Sequence, residues 1–276
     1  MGLIVDAQLH AWREVLPGMQ AHREGPFDAD VMLPLMREAG VAGAVLVPTS
    51  WDPEGNQASI DAAREHPDRF VVMGLLDSLD GLADRLAGWQ DEGMLGVRLP
   101  CRQEPCATWV ETGEIELFWT EAESAGIPVT AFGPGSKLDV IAEGARRHPG
   151  LRIAIDHLAM APPDRVVDVP NDEQLERVIA LAALPNVSAK LSSLPLFSRE
   201  GAPFHDMFEP ARRVVDAYGP ERCFFGTDLS RQPCSYPEAI AMIREALADL
   251  SEDELDLVLG GALTRWLGWT PAPLER

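Results

Sequence analysis

The polar side chains best placed to do chemistry in this sequence are Gln8, His10, Arg98, His157, Lys190 and Asp228. Each stands in or at the end of a short apolar run. Asp228 closes the run Cys223-Phe-Phe-Gly-Thr-Asp228, and a carboxylate there is suited to take a proton from water. Gln8 and His10 are two residues apart, so on a strand they point the same way. Imidazoles, an amide and a cation are the groups that stabilise an oxyanion. The set therefore reads as a hydrolytic centre, with Asp228, His157, His10 and Gln8 as its catalytic candidates.

Such a set works only if the runs that carry it bring their ends to one place. Eight short apolar runs are expected as strands: 3–6, 44–47, 70–76, 95–99, 127–131, 152–155, 187–191 and 223–226. Segments of helical spacing separate them at 28–39, 59–65, 81–92, 114–125, 136–147, 172–183 and 206–218. Two more helices, 236–249 and 251–267, follow the last strand, the second opened by the capping box Ser251-Glu-Asp-Glu254. Apolar strands alternating with amphipathic helices mean a parallel sheet covered on both faces. Eight such units predict an α/β fold closed into a single (β/α)8 TIM barrel, one domain over 1–276, whose C-terminal strand ends form the catalytic mouth. The place after the first strand holds Asp6-Ala-Gln-Leu-His10 rather than the glycine fingerprint of a dinucleotide fold.

Composition bounds the partners. The chain has 276 residues, 46% of them hydrophobic, and a formal net charge of −21. That charge argues against nucleic-acid and anionic-membrane binding. The four cysteines form no C-x-x-C pair, so neither a zinc knuckle nor a redox dithiol is expected. With no secretory signal at the N-terminus and no apolar stretch long enough to span a bilayer, a cytoplasmic location is expected. The expected partner is a small-molecule substrate, taken up by a monomer or a small homo-oligomer.

Several residues carry a second, structural reading. Asp6 is expected to hydrogen-bond loop backbone. Arg98 either contacts substrate or pairs with an acidic barrel residue, and Lys190 either contacts substrate or reaches along the barrel toward solvent. His66 and His148 precede prolines at helix ends and read as helix stops. His22 lies in a long loop, and His205 sits beside Asp206, which reads as a helix N-cap. Arg102 and Arg231 are further candidates for a substrate carboxylate or hydroxyl. Trp12, Trp51 and Trp109 follow strands on the catalytic side, either walling a pocket or packing on the rim.

The chain resembles the amidohydrolase superfamily, in its "amidohydrolase 2" branch, along nearly its whole length. The resemblance rests on Val5-Asp-Ala-Gln-Leu-His-Ala-Trp12, His66-Pro-Asp-Arg-Phe70, Gly96-Val-Arg-Leu99, Ile155-Asp-His-Leu158, Asn186-Val-Ser-Ala-Lys-Leu-Ser192, Tyr218-Gly-Pro-Glu-Arg222 and Phe225-Gly-Thr-Asp228. Asp-His-Leu and Lys-Leu-Ser look most like its lactonase group, which includes 2-pyrone-4,6-dicarboxylate lactonase and sugar-lactone hydrolases. The resemblance implies that Asp228 is the general base, that His157 and His10 bind the carbonyl or a metal, and that Arg98 meets a substrate carboxylate or hydroxyl. It implies a carboxylated or hydroxylated lactone as substrate.

The sequence departs from that pattern. Gln8 stands where the family has the first histidine of a His-x-His pair, strand five offers Val129-Thr-Ala-Phe132 without a histidine, and Gly260-Gly-Ala262 has alanine where relatives often have asparagine. A neutral amide is a poor transition-metal ligand. A hydrolase of a lactone or related cyclic ester working without a metal is the leading expectation. The alternative cofactor is one divalent metal held by His10, His157 and Asp228. The alternative functions are a metal-dependent decarboxylase of an aromatic or muconate-type acid, or a catalytically inactive binding barrel.

Overall fold

The computed structural model describes residues 2–14, 25–49, 52, 54–161 and 168–274. Eight parallel strands follow one another in chain order: β1 Ile4–Leu9, β2 Val41–Leu46, β3 Phe70–Leu75, β4 Gly96–Pro100, β5 Val129–Phe132, β6 Ile153–Ile155, β7 Val187–Ser192 and β8 Cys223–Gly226. β1 lies against β8, and Asp228 N donates to Gln8 O at 2.8 Å across the seam. The sheet thus closes into a (β/α)8 TIM barrel.

The helices are α1 Ala29–Ala39, α2 Gln57–Glu65, α3 Leu82–Ala87, α4 Cys106–Thr112, α5 Ile115–Ala125, α6 Lys137–Arg147, α7 Asn171–Ala180, α8 Leu194–Phe197, α9 Phe208–Tyr218, α10 Tyr236–Ala246, α11 Glu252–Asp256 and α12 Ala262–Leu267. Their apolar faces cover the outside of the barrel, where Leu46, Val72, Leu99, Ile155 and Leu191 from the strands share one core with Met36, Phe118, Ile141 and Val214 from the helices. A smaller cluster, including Val5, Val45, Met73, Ala154 and Phe224, fills the inside. Among the described residues no helix is long and apolar enough to cross a membrane.

Four expectations about elements change. β1 runs to Leu9, so Gln8 is a strand residue and His10 directly follows its end. The short helices α4 and α8 lie inside segments that read as loops. Asp206 does not cap α9: its carboxylate accepts from Ser198 Oγ and from Arg199 N, pinning the β7–α9 loop. The segment 251–267 is not one helix. The expected capping box opens α11, but the chain breaks at Gly260 before α12, because Gly260 passes so close to β1 that a Cβ would meet Leu3 O at 2.6 Å.

Candidate active site

The β8 end and the β1 end are tied by one buried carboxylate. Asp6 accepts from the backbone amides of Gln8 (2.9 Å) and Thr227 (2.8 Å), and from the Tyr236 hydroxyl (2.6 Å) and the Thr227 hydroxyl. The backbone role expected of Asp6 is there, with two side chains added. Burial pushes its carboxyl above the ordinary aspartate value, against the pull of these donors. Gly226 lets the two strands approach: a Cβ there would lie 3.1 Å from Ser192 Cβ and 3.2 Å from Gln8 N.

Asp228 stands two residues beyond Gly226, 1% exposed, with φ 58°. His157 (φ 55°) and Ser193 (φ 59°) are also left-handed. Three non-glycine residues after three different strands thus hold a backbone conformation costing of order 1–3 kcal/mol each, and such strain clusters where side chains must be aimed. Asp228 Oδ2 accepts from the Ser193 hydroxyl at 2.9 Å. Its Oδ1 faces His10 Nε2 at 3.1 Å. Burial opposes ionisation of Asp228, but the charges of His10, His157 and Arg231 outweigh it and hold the carboxyl well below the usual aspartate range.

Hydrogen counting fixes the imidazoles. His10 Nδ1 lies 2.6 Å from Val47 O, which can only accept, so Nδ1 carries a proton. The contact of Nε2 with Asp228 becomes a hydrogen bond when the ring carries its second proton as well. His157 Nδ1 lies 2.8 Å from Ser192 Oγ and 2.9 Å from Ser193 Oγ. Ser193 spends its one proton on Asp228 and can only accept from the ring, so Nδ1 is the protonated nitrogen and Nε2 keeps its lone pair. Burial pushes His157 down to about 3, despite the carboxylates of Asp156 and Asp228, so the ring is neutral at pH 7.

Beneath these residues lies a buried charged layer. Asp156 accepts from Arg98 Nε at 3.1 Å, and Lys190 Nζ lies 2.8 Å from its Oδ1. Burial works against its ionisation, and the charges of Lys190, Arg98 and His157 win, holding it near about 2. Lys190 is 1% exposed, so it does not reach solvent; desolvation lowers its pKa, with Asp156 opposing. The ammonium also donates to Gln8 Oε1 at 2.5 Å. That bond orients the Gln8 amide and sends its NH₂ toward His10, 3.5 Å away.

The structure therefore gathers Gln8, His10, Arg98, His157, Lys190 and Asp228 at one mouth through shared contacts. Both readings of Arg98 find support: it pairs with Asp156 and also lines a cavity at the rim. Arg231 is half-buried and close enough to lower Asp228. Arg102 is exposed, its charge felt by Asp168. Trp12 is 1% exposed, packs on Phe27 at 5.3 Å and donates to Gly25 O at 3.0 Å, so its indole is taken up by the rim. Trp109 is buried and lines the cavity. Trp51 and His22 lie outside the described residues. His205 is exposed against Phe208. His148 does end α6 but also bridges Glu123 (3.0 Å) and Glu116 (3.2 Å).

Sequence reasoning missed Ser192, Ser193 and the central part of Asp156. Ser192 had a signal: it is two residues beyond Lys190 on the same strand face. Ser193 had none, since its orientation depends on a left-handed turn.

Among the described residues no three His, Cys, Asp or Glu side chains group so as to hold an ion. His10 Nε2 and Asp228 Oδ1 are neighbouring donors; the Gln8 carbonyl is taken by Lys190, and His157 turns Nδ1 to two serines and leaves Nε2 open.

Residues 5–269 match the amidohydrolase family (Amidohydro_2). The chain is 27% identical over 241 residues to the L-fucono-1,5-lactonase of Burkholderia ambifaria, covering 81% of this chain and 79% of that one. A solved amidohydrolase from Burkholderia multivorans with bound zinc superposes with a TM-score of 0.79 at 21% identity, covering 97% of this chain and 99% of that chain. A probable 2-pyrone-4,6-dicarboxylic acid hydrolase from Acinetobacter baumannii, with citric acid bound, gives a TM-score of 0.73 at 17% identity, covering 96% and 99%. At these identities the two structures bear on the fold alone.

Proposed function

The chain belongs to the amidohydrolase family and is a hydrolase, and from that premise we propose that it opens a lactone by water attack, with Asp228 as general base and without a resident metal. The observation that carries the reading is the Asp228 carboxylate itself: Oδ2 is fixed by Ser193, while Oδ1 meets, among the described residues, only the His10 ring and can take a proton. The relation to a fucono-lactonase supports the substrate class.

Asp228 Oδ1 removes a proton from water while His157 Nε2, a lone-pair acceptor, orients it. The water oxygen bonds to the lactone carbonyl carbon, and the charge that develops on the carbonyl oxygen is met by the Gln8 NH₂, which lies beside the His10 ring. Oriented donors of this kind act without reorganising during the reaction. Collapse breaks the bond from the carbonyl carbon to the ring oxygen. That oxygen takes the proton held by Asp228, and the product is the hydroxy acid. His157 thus moves from the oxyanion role expected of it to water orientation, because its protonated nitrogen is occupied by serines. Lys190 and Asp156 act below the substrate, as the support of Gln8.

The test is a hydrolysis screen over γ- and δ-lactones, sugar lactones and 2-pyrone-4,6-dicarboxylate, read by acid release, on protein dialysed against chelator and analysed for metal. Hydrolysis retained with less than about 0.1 equivalent of metal is the expected result. Activity that disappears with a stoichiometric zinc or manganese and returns on its addition overturns the metal-free part. Failure on every lactone overturns the reaction class.

A further inference from the structure

A cavity of about 360 Å³ opens at the rim above β2, β3 and β4, within the roughly 300–1,000 Å³ of small-molecule sites. It adjoins the catalytic residues at two points. Arg98 lines it and also binds Asp156, and Thr49 lines it two residues beyond Val47, whose carbonyl holds His10. Thr49 is 6% exposed, yet its hydroxyl has no hydrogen-bond partner among the described residues. Asp52 accepts from Glu54 N at 2.9 Å through Oδ1, while its Oδ2 likewise has none among them. A buried hydroxyl and a buried carboxylate oxygen without partners cost free energy unless a ligand serves them.

The chemistry of the wall indicates which ligand. Among the described residues Asp52, Glu54, Asp77 and Glu104 line the cavity with Arg85 and Arg98, and Arg13 pairs with Glu54 at 3.1 Å from outside the lining. Arg85 is bound to Asp77 at 2.7 Å and Arg98 to Asp156 at 3.1 Å. The excess of carboxylate repels a dianionic ring, and carboxylates accept readily from hydroxyls. Trp109 and Leu99 supply an apolar wall for the face of a ring.

We propose that this cavity is a subsite for the hydroxyl groups of an uncharged, polyhydroxylated ring, with Thr49 and Asp52 as specificity-determining residues. It rests on the reading of the protein as a lactone hydrolase, and it selects sugar-type lactones over carboxylated pyrones.

Two measurements separate the proposals. The first is calorimetric titration of wild type, Thr49→Val and Asp52→Asn with 1,5-anhydrohexitols of gluco, manno and galacto configuration, which are uncharged ring polyols without a carbonyl to hydrolyse. At least one should bind wild type, and each substitution should weaken it about 2–10-fold, the loss of one hydrogen bond of roughly 0.5–1.5 kcal/mol. The second is kcat/KM for a hexono-1,5-lactone and for δ-valerolactone. The substitutions should lower the former by a similar factor and leave the latter within two-fold. The subsite is overturned if no anhydrohexitol binds, if binding ignores both substitutions, or if 2-pyrone-4,6-dicarboxylate is the preferred substrate. Polyol binding that responds to the substitutions in a protein that opens no lactone upholds the subsite and overturns the reaction instead.

Discussion

Replacing Asp228 by Asn isolates the base, because the surrounding bonds can survive the exchange. An amide oxygen at the Oδ2 position still accepts from Ser193, now 2.9 Å away, and an amide NH₂ at the Oδ1 position donates to His10 Nε2, now 3.1 Å away. His10 keeps its Nδ1 proton on Val47 O throughout. The fold and the orientation of both rings should therefore hold, and the change removes only the basic lone pair. General-base assistance is worth about 10²–10⁴-fold, which is about 3–5 kcal/mol of barrier. The assay is kcat/KM against pH for whichever lactone the screen identifies. In wild type the carboxyl is held well below the usual aspartate range, so the rate should stay nearly level down to about pH 4, where an unperturbed aspartate would be nearly half protonated. Asp228→Asn should fall by the stated factor with KM changed less than about three-fold. A variant that keeps more than a tenth of wild-type kcat refutes Asp228 as base. So does a residual rate with the wild-type acid limb intact, which would make His157 the base.

Three other perturbations read different parts of the site. Ser193→Ala should lower kcat about 10–100-fold while δ-lactone binding changes little, since a hydrogen bond to a charged group is worth about 1.5–3 kcal/mol; an upward move of the acid limb separates this from a packing loss, and an unmoved limb counts against it. Lys190→Met leaves Asp156 with Arg98 alone and should destabilise the fold by about 3–5 kcal/mol, measured by urea unfolding at pH 7; a change under 1 kcal/mol would show that the buried charge is not what the lysine serves. His157 resists protonation down to about 3, while an unfolded histidine protonates near 6.5, so stability should fall as pH drops below 6.5, by up to roughly 3 kcal/mol at pH 4. Calorimetric unfolding of His157→Asn should show a shallower fall; an identical slope would place the acid sensitivity elsewhere.

The barrel was legible because its evidence is repetitive. Eight apolar runs alternating with helical spacing leave little choice of architecture, and each strand end then points its polar residue to the same rim. Gln8, His10, Arg98, His157, Lys190 and Asp228 followed from that rule alone. What one residue does there was less legible, because it depends on contacts across the barrel that no local pattern encodes. Lys190 and Gln8 are 182 residues apart, and the lysine donates to the Gln8 amide oxygen. The tautomer of His157 is set by a serine pair on the next strand. The break at Gly260 arises where a late helix meets the first strand, which helical periodicity over 251–267 cannot register.

The same long-range contacts explain how a chain with glutamine at position 8 keeps an ordered centre. Asp156 is the pivot: it is fully buried, and it draws Lys190 and Arg98 together beneath the mouth. Two cations serving one carboxylate leave the layer with excess positive charge, so it can hold a neutral amide by its oxygen and turn the NH₂ outward. Gln8 alone would be free to present either end of its amide. The lysine removes that choice and makes the amide a directed donor, the property an oxyanion site requires. Substituting Gln8 by Glu therefore tests the arrangement in one step. The carboxylate should be held by Lys190 at least as firmly and the protein should remain folded, but the donor is gone and a negative charge faces the developing oxyanion. Activity should fall by at least the roughly 10²–10³-fold typical of one lost donor, and Gln8→Glu should be no better than Gln8→Ala. A Gln8→Glu enzyme near wild-type activity would mean that the amide donates nothing to the reaction.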